Sequence, residues 1–250
     1  MEKNLFREVY KQVCGLALKD CPPSSLSGLL HGYLSVYSMV RVYPWLEDDY
    51  GSLWDIHDRI REIARVIQEL LKDKDLPVDT RAGYVVDLMD AYLLYSDLKF
   101  LDTALDAAYE ILIPKGSDKI VLPCRTPNIC RLLCNCYYFT GEDECALLAG
   151  KLMTEAMGLS RKFNNDELFS WNKAFRVYKN IVEDVGICVE EREYLHVGGR
   201  LELSAERIKD EHVECFLQGE IECDIFSLLD VFDYLAEREF CECNDMYLLK

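Results

Sequence analysis

Ala91-Tyr-Leu-Leu-Tyr-Ser-Asp-Leu-Lys-Phe-Leu-Asp-Thr-Ala104 and Tyr137-Tyr-Phe-Thr-Gly-Glu-Asp-Glu-Cys-Ala146 decide the fold class of this chain. In each, an aromatic-rich apolar run ends in a short polar turn, and an alanine-bearing amphipathic run comes next. The turns Tyr95–Phe100 and Thr140–Cys145 lie 45 positions apart, and Tyr50-Gly-Ser-Leu-Trp-Asp55 is a weaker match 45 positions earlier. Ala104 and Ala149 share a register, as do Leu101 and Ala146. Such spacing predicts stacked two-helix units, each covering its neighbour's apolar face.

The flanking segments carry the same period. Leu5, Val9, Val13, Leu16 and Ala17 predict a helix that Cys21-Pro-Pro stops, since consecutive prolines cannot continue it. A second helix starts near Ser24 or Ser25 and ends before Pro44, with Gly28 and Gly32 permitting close packing. Ile56, Ile60, Ile63, Ala64 and Ile67 form the apolar stripe of a surface helix over 53–71. Alanines at 104, 107 and 108 let the helices of the 82–112 hairpin approach closely, and Ile120-Val-Leu122 reads as a short extended piece. Thr126-Pro127 is a strong start signal, because Thr caps and Pro suits the first helical position. A further helix is expected over 166–184, capped by Asn165, and a terminal one over 224–239. Between them Ile187-Cys-Val and Glu193-Tyr-Leu-His-Val read as short strands beside Gly198-Gly199. The expected fold is mainly α: an array of antiparallel helical hairpins with a small β element near 187–203.

Charge divides the chain unevenly. The formal net charge is -17, and residues 183–250 carry 19 acidic against 6 basic side chains, a net of -13. This suggests a helical-hairpin domain over 1–185 and an acidic C-terminal subdomain or extension over 186–250, packed on it. The acidic balance disfavours direct nucleic-acid binding and anionic membranes and favours a basic protein or peptide partner. Imitation of a nucleic-acid backbone is a third, less favoured use of such a surface. The apolar run 26–42 is broken by His31, Arg41 and several hydroxyls, so it reads as a buried helix rather than a membrane span. No secretory signal is visible at the start of the sequence, and a cytoplasmic location is expected. Nothing in the sequence sets an oligomeric state.

Twelve cysteines are scattered through apolar helices, where free thiols behave as small core residues. Cys124, Cys130, Cys134 and Cys136, and Cys241 with Cys243, lack the paired spacing of a zinc site. No phosphate loop, dinucleotide fingerprint, zinc-protease pair or serine-hydrolase elbow occurs. No metal and no cofactor is therefore expected. His196 and His212 lie near no nucleophile motif that would define a triad.

Two groups carry candidate chemistry. The first is Trp45, Glu47, Asp48, Asp49, Tyr50, Trp54, Asp55 and His57. Aromatic faces stack on sugars and paired carboxylates act as acid and base, but a hydrated loop anchored by two buried tryptophans is the favoured reading. The second is Asp87 and Asp90, one helical turn apart, with Arg81 and Arg125 each preceding the first helix of a unit. These arginines pair with the acids or with a ligand, and structural ion pairing is favoured over catalysis. His31 reads as a hydrogen-bonded core or groove residue.

The two quoted phrases resemble the hairpins of alpha/alpha-toroid proteins, the six-hairpin glycosidases and sugar epimerases. There an inner helix ends in a similar aromatic and turn sequence before an alanine-rich outer helix. The resemblance covers about a quarter of the chain and implies packing rather than chemistry. A full six-hairpin ring needs more residues than this chain has, so three or four units would form an open arc. The leading expectation is a non-catalytic helical scaffold binding a protein or peptide. The alternative is a carbohydrate-processing enzyme of abbreviated toroid-like fold. In it Asp55, Asp87 or Asp90 supplies acid–base chemistry, and Trp45, Trp54, His57, Arg81 and Arg125 contact a carbohydrate ligand.

Overall fold

The stripe of isoleucines at 56, 60, 63 and 67 is buried along one side of a helix that continues to Leu70, as a 3.6-residue period requires. The same logic repeats along the chain. The computed structural model describes residues 5–159, 162–183, 217 and 225–240. These described residues form ten α-helices and no strand. The helices are α1 (Leu5–Cys14), α2 (Leu26–Val42), α3 (Glu47–Tyr50), α4 (Leu53–Leu70) and α5 (Val78–Tyr95). They continue as α6 (Leu98–Leu112), α7 (Pro127–Thr140), α8 (Asp143–Leu159), α9 (Asn165–Tyr178) and α10 (Ile225–Phe240). The protein is mainly α. None of these helices is long and apolar enough to cross a membrane. The β element expected near 187–203, His196, His212, Gly198-Gly199 and Cys241-Glu-Cys243 lie outside the described residues.

The described residues of Met1–Ile67 and Arg207–Tyr247 form one compact unit, and those of Gln68–Glu206 a second. In the first, α10 packs on α1 and α2. Its Phe232 lies nearly parallel to Phe6, with ring centroids 5.7 Å apart and planes at 13°, and meets Tyr33 edge-on at 5.7 Å. Gly32 makes this possible: a Cβ there would stand 2.2 Å from Phe232 Cε1. Tyr10 donates a 2.8 Å hydrogen bond to the Tyr50 carbonyl, closing the aromatic cluster. Burial raises the Tyr10 hydroxyl pKa, with a further contribution from Cys14, so it remains a donor. Among the described residues, the C-terminal third thus contributes α10 to the same unit as α1 and α2.

The second unit contains two helical hairpins, α5–α6 and α7–α8, with α7 also packed on α5 and α9. Buried Ala104, Ala107 and Ala108 lie on α6, and buried Ala146, Ala149 and Ala156 on α8. Helix starts obey the expected chemistry at Thr126-Pro127, where the Thr side chain accepts from the Ile129 amide. Asp97 likewise caps α6 by accepting from the Lys99 N–H. The cap of α9 is Asn164 rather than the expected Asn165. Asn164 and Glu167 satisfy each other's backbone amides in a capping box, a reciprocal arrangement that Asn165 is one residue too late to make. That helix ends at Tyr178 and passes into a single π turn over Lys179–Glu183. Ile120-Val-Leu122 forms no strand; the Val121 amide donates to the Leu112 carbonyl at 2.8 Å and ties the loop back to α6.

The three junctions keep the 45-residue spacing in their backbone. Gly51, Ser96 and Gly141 have φ of 88°, 54° and 70°. Their amides donate to the carbonyls of Glu47, Tyr92 and Tyr137, and the next helices begin at Leu53, Leu98 and Asp143. A positive φ at the residue after a helix redirects the chain while that residue's amide still satisfies a terminal carbonyl. The first junction departs from expectation: it comes after the single turn α3, not after a long helix. Pro44 accounts for the difference, since the residue before proline is driven out of helical conformation and α2 stops at Val42.

Candidate functional site

Trp45 and Trp54 are the clearest departure from the expected loop. They are not buried anchors: 69% of Trp45 and 77% of Trp54 is exposed. The buried anchor is Tyr50, packed against Phe6 and Tyr10. Trp54 faces outward because it precedes Ile56 by two residues, about 200° around the helix from the buried stripe. Trp45 sits in the 3-10 turn Pro44–Leu46, with its ring 5.2 Å from that of exposed Tyr43. Trp54 meets His57 edge-on at 6.1 Å, and Tyr37 approaches the same imidazole at 6.0 Å. Burial lowers the His57 pKa below its ordinary value, and Arg61 adds to this while Asp58 opposes it.

Asp55 closes the start of α4. Its carboxylate accepts from Ser52 Oγ at 2.7 Å, and its amide donates to the same oxygen at 3.1 Å. Glu47 accepts from the Leu53 amide at 3.0 Å, which ties the two ends of the loop together. Asp49 pairs with Arg7.

The other candidates lie in the second unit. Asp87 and Asp90 are buried, at 0% and 5% exposure, and Arg131 of α7 stands 3.8 Å from the Asp90 carboxylate. Burial raises the pKa of nearby Tyr84, and Asp87 raises it further. Arg81 pairs with Glu110 at 3.1 Å, and Lys74 reaches the same carboxylate at 2.7 Å. The Lys74 hydrogen bond, then Arg81, hold Glu110 below the usual carboxylate range against the opposing effect of desolvation. Arg125 pairs with Glu155. Glu110 and Glu155 are 45 positions apart and Arg81 and Arg125 are 44 apart. Arg125 precedes α7 as expected, but Arg81 lies within α5 and is buried there, so the two ion pairs are similar in spacing and differ in setting. His31 is buried in α2.

Cys130, Cys134 and Cys136 are buried thiols, and Cys124 is half-buried. Burial pushes the Cys134 pKa up, while for Cys136 the hydrogen bond with Cys145 contributes most. Among the described residues no three His, Cys, Asp or Glu side chains converge as metal ligands would.

A groove of about 490 Å³ opens where the start of α7, the end of α8 and the start of α9 meet. That is the size range of small-ligand and side-chain anchor sites. Leu152, Ala156, Leu159, Phe163 and Trp171 give it an apolar lining, and Asp79, Arg125, Glu155 and Glu167 are its charged residues. The Phe163 and Trp171 rings lie parallel, with planes at 7° and centroids 6.1 Å apart. Thr126 Oγ1 and Asn128 Nδ2 both donate to Asp79, so the α7 cap and the groove share one carboxylate. Neither Asp87 nor Asp90 lines this groove. A second cleft, between α6 and the α7–α8 turn, is smaller, about 110 Å³, and includes Cys136 and Cys145.

Of the groove residues, only Arg125 was a sequence candidate for ligand contact. The local signal was the capping box Asn164-Asn-Asp-Glu167 with Trp171 one turn beyond. It marks a helix start; the groove needs α7 and α8 brought beside it.

No protein-family model, curated protein or solved structure matches this chain.

Proposed function

We propose that the chain is a non-catalytic helical scaffold of stacked hairpins that binds a short segment of a protein partner. The observation that carries this is the groove at the α7, α8 and α9 ends. It combines an apolar lining with three carboxylates against one arginine. That arginine is already engaged by Glu155, so the rim is acidic. A complementary segment presents a bulky apolar side chain next to a lysine or arginine: the first displaces water from the apolar surface, the second answers the rim. The placement of Asp87 and Asp90 supports a structural role for them, since both are buried and Asp90 lies beside Arg131. The 45-residue spacing of the junctions supports the stacked-hairpin reading.

A random-peptide library displayed on phage and selected on the whole protein tests the proposal. Selected peptides should converge on an apolar anchor beside a basic residue. A synthetic copy should lose about tenfold in affinity, equivalent to about 1.4 kcal/mol, against Ser170→Arg. Ser170 lines the groove and is exposed, so this change fills the groove and weakens its negative charge without disturbing the core. Peptides without a common anchor, or an affinity indifferent to Ser170→Arg, would refute it.

A further inference from the structure

We propose that the aromatic ridge of the first unit, Tyr43, Trp45 and Trp54, is a second binding surface, which takes an arginine- or lysine-rich segment of another protein. The ridge shares no residue with the groove, and its exposure, ring geometry and charge define it independently.

Tryptophan is highly buried on average in folded chains, yet both indoles here are mostly exposed. Two aromatic contacts, Tyr43 with Trp45 and Trp54 with His57, hold them in place. The Glu47–Leu53 hydrogen bond joins the segment carrying Trp45 to the helix start carrying Trp54. Trp45 and Trp54 therefore flank one loop whose two ends are tied together.

Its charge selects the occupant. Between Val42 and Asp58 the chain carries Glu47, Asp48, Asp49, Asp55 and Asp58, with no lysine or arginine. Arg7 engages Asp49, and Arg61 stands 3.9 Å from Asp58. Glu47, Asp48, Asp55 and Asp58 are exposed in the same segment as the rings. His57 does not offset them at neutral pH, because its environment favours the uncharged imidazole. Aromatic faces with carboxylates alongside suit a guanidinium or ammonium group, which is drawn to the ring face and bonded by the acid. A second copy of this chain is a poor occupant, since two surfaces of the same sign repel in a protein of net charge -17.

The test is titration calorimetry of the full chain with a hexa-arginine peptide at about 0.15 M salt, where non-contact charge effects are largely screened. A protein this acidic attracts any polycation, so the aromatic variants decide the matter. Trp45→Ala/Trp54→Ala leaves net charge unchanged and should weaken binding about tenfold, while Trp45→Phe/Trp54→Phe should recover part of the loss. Asp48→Asn/Asp58→Asn should also weaken it. Circular dichroism of each variant should match the parent, because both indoles lie outside the core. Equal binding by the Ala variant would overturn the proposal, leaving net charge alone as the cause. So would no binding at all, tryptophan-dependent binding of a neutral oligosaccharide in place of the peptide, or tryptophan-dependent dimerisation in sedimentation.

Discussion

Replacing Gly32 with alanine sets two physical effects against each other. Alanine is the better helix former by about 1 kcal/mol, so propensity alone would make the variant more stable. The structure predicts the opposite sign. The new Cβ would lie 2.2 Å from Phe232 Cε1, at least about 1.3 Å inside the usual carbon contact of roughly 3.5–4.0 Å. The ring has no easy retreat: Phe6 lies against one face, Tyr33 meets it edge-on and Tyr10 is 6.1 Å away. Overpacking of this kind costs about 1–3 kcal/mol, sometimes more. An overlap this deep puts the cost at the upper end of that range, about 2–3 kcal/mol, so net of propensity Gly32→Ala should destabilise the first unit by about 1–2 kcal/mol. Urea unfolding monitored by tyrosine fluorescence and circular dichroism measures it. Phe232→Leu completes a double-mutant cycle. Leucine lacks Cε1 and Cζ, two of the three ring atoms that clash, so the double variant should be more stable than the summed single effects by about 1 kcal/mol. A Gly32→Ala protein as stable as the parent, or a cycle with no coupling, would refute the close approach of α2 and α10.

Other outcomes concern the junctions and the ridge. Ser96 holds a left-handed φ of 54°, which L-residues adopt at about 1–2 kcal/mol cost. Ser96→Gly should therefore stabilise by about 0.5–1 kcal/mol after glycine's greater loss of entropy, whereas Ser96→Val should destabilise; urea midpoints report both. His57 has a folded-state pKa below 6.5. Both states are neutral at high pH, and on acidification the unfolded chain takes the proton first, so stability is lost as pH falls through about 6.5. The groups facing the imidazole include Asp58, which favours the proton, Arg61, which opposes it, and the rings of Tyr37 and Trp54. An NMR titration should give a midpoint under 6.5, and His57→Gln should flatten the loss of stability between about pH 7 and pH 5. A midpoint at or above 6.5 would contradict the burial of this ring.

The helices and their junctions were legible because their causes are local. A 3.6-residue apolar period, a Thr-Pro start and a turn residue every 45 positions act within a few residues of themselves, whatever they pack against. Two departures at these helix ends were also local in origin. The cap of α9 fell on Asn164 because the reciprocal partner Glu167 sits three residues on. The first junction comes after a single turn because Pro44 ends α2 early.

The sites were not legible in this way. Trp45 and Trp54 look like core residues by type, and their exposure reflects Tyr50 taking the buried place against Phe6 and Tyr10. Arg81 and Arg125 were visible as paired positions, but their partners Glu110 and Glu155 lie far along the chain, on returning helices. The groove draws on α7, α8 and α9 together, and Gly32 matters because the Phe232 ring, from the other end of the chain, rests on it. Sequence alone determined the helical class and the places where the chain turns, because backbone conformation answers to near neighbours. Which faces meet, and therefore which aromatic rings and charges remain for a partner, was decided only by tertiary packing, because burial depends on residues remote in the chain.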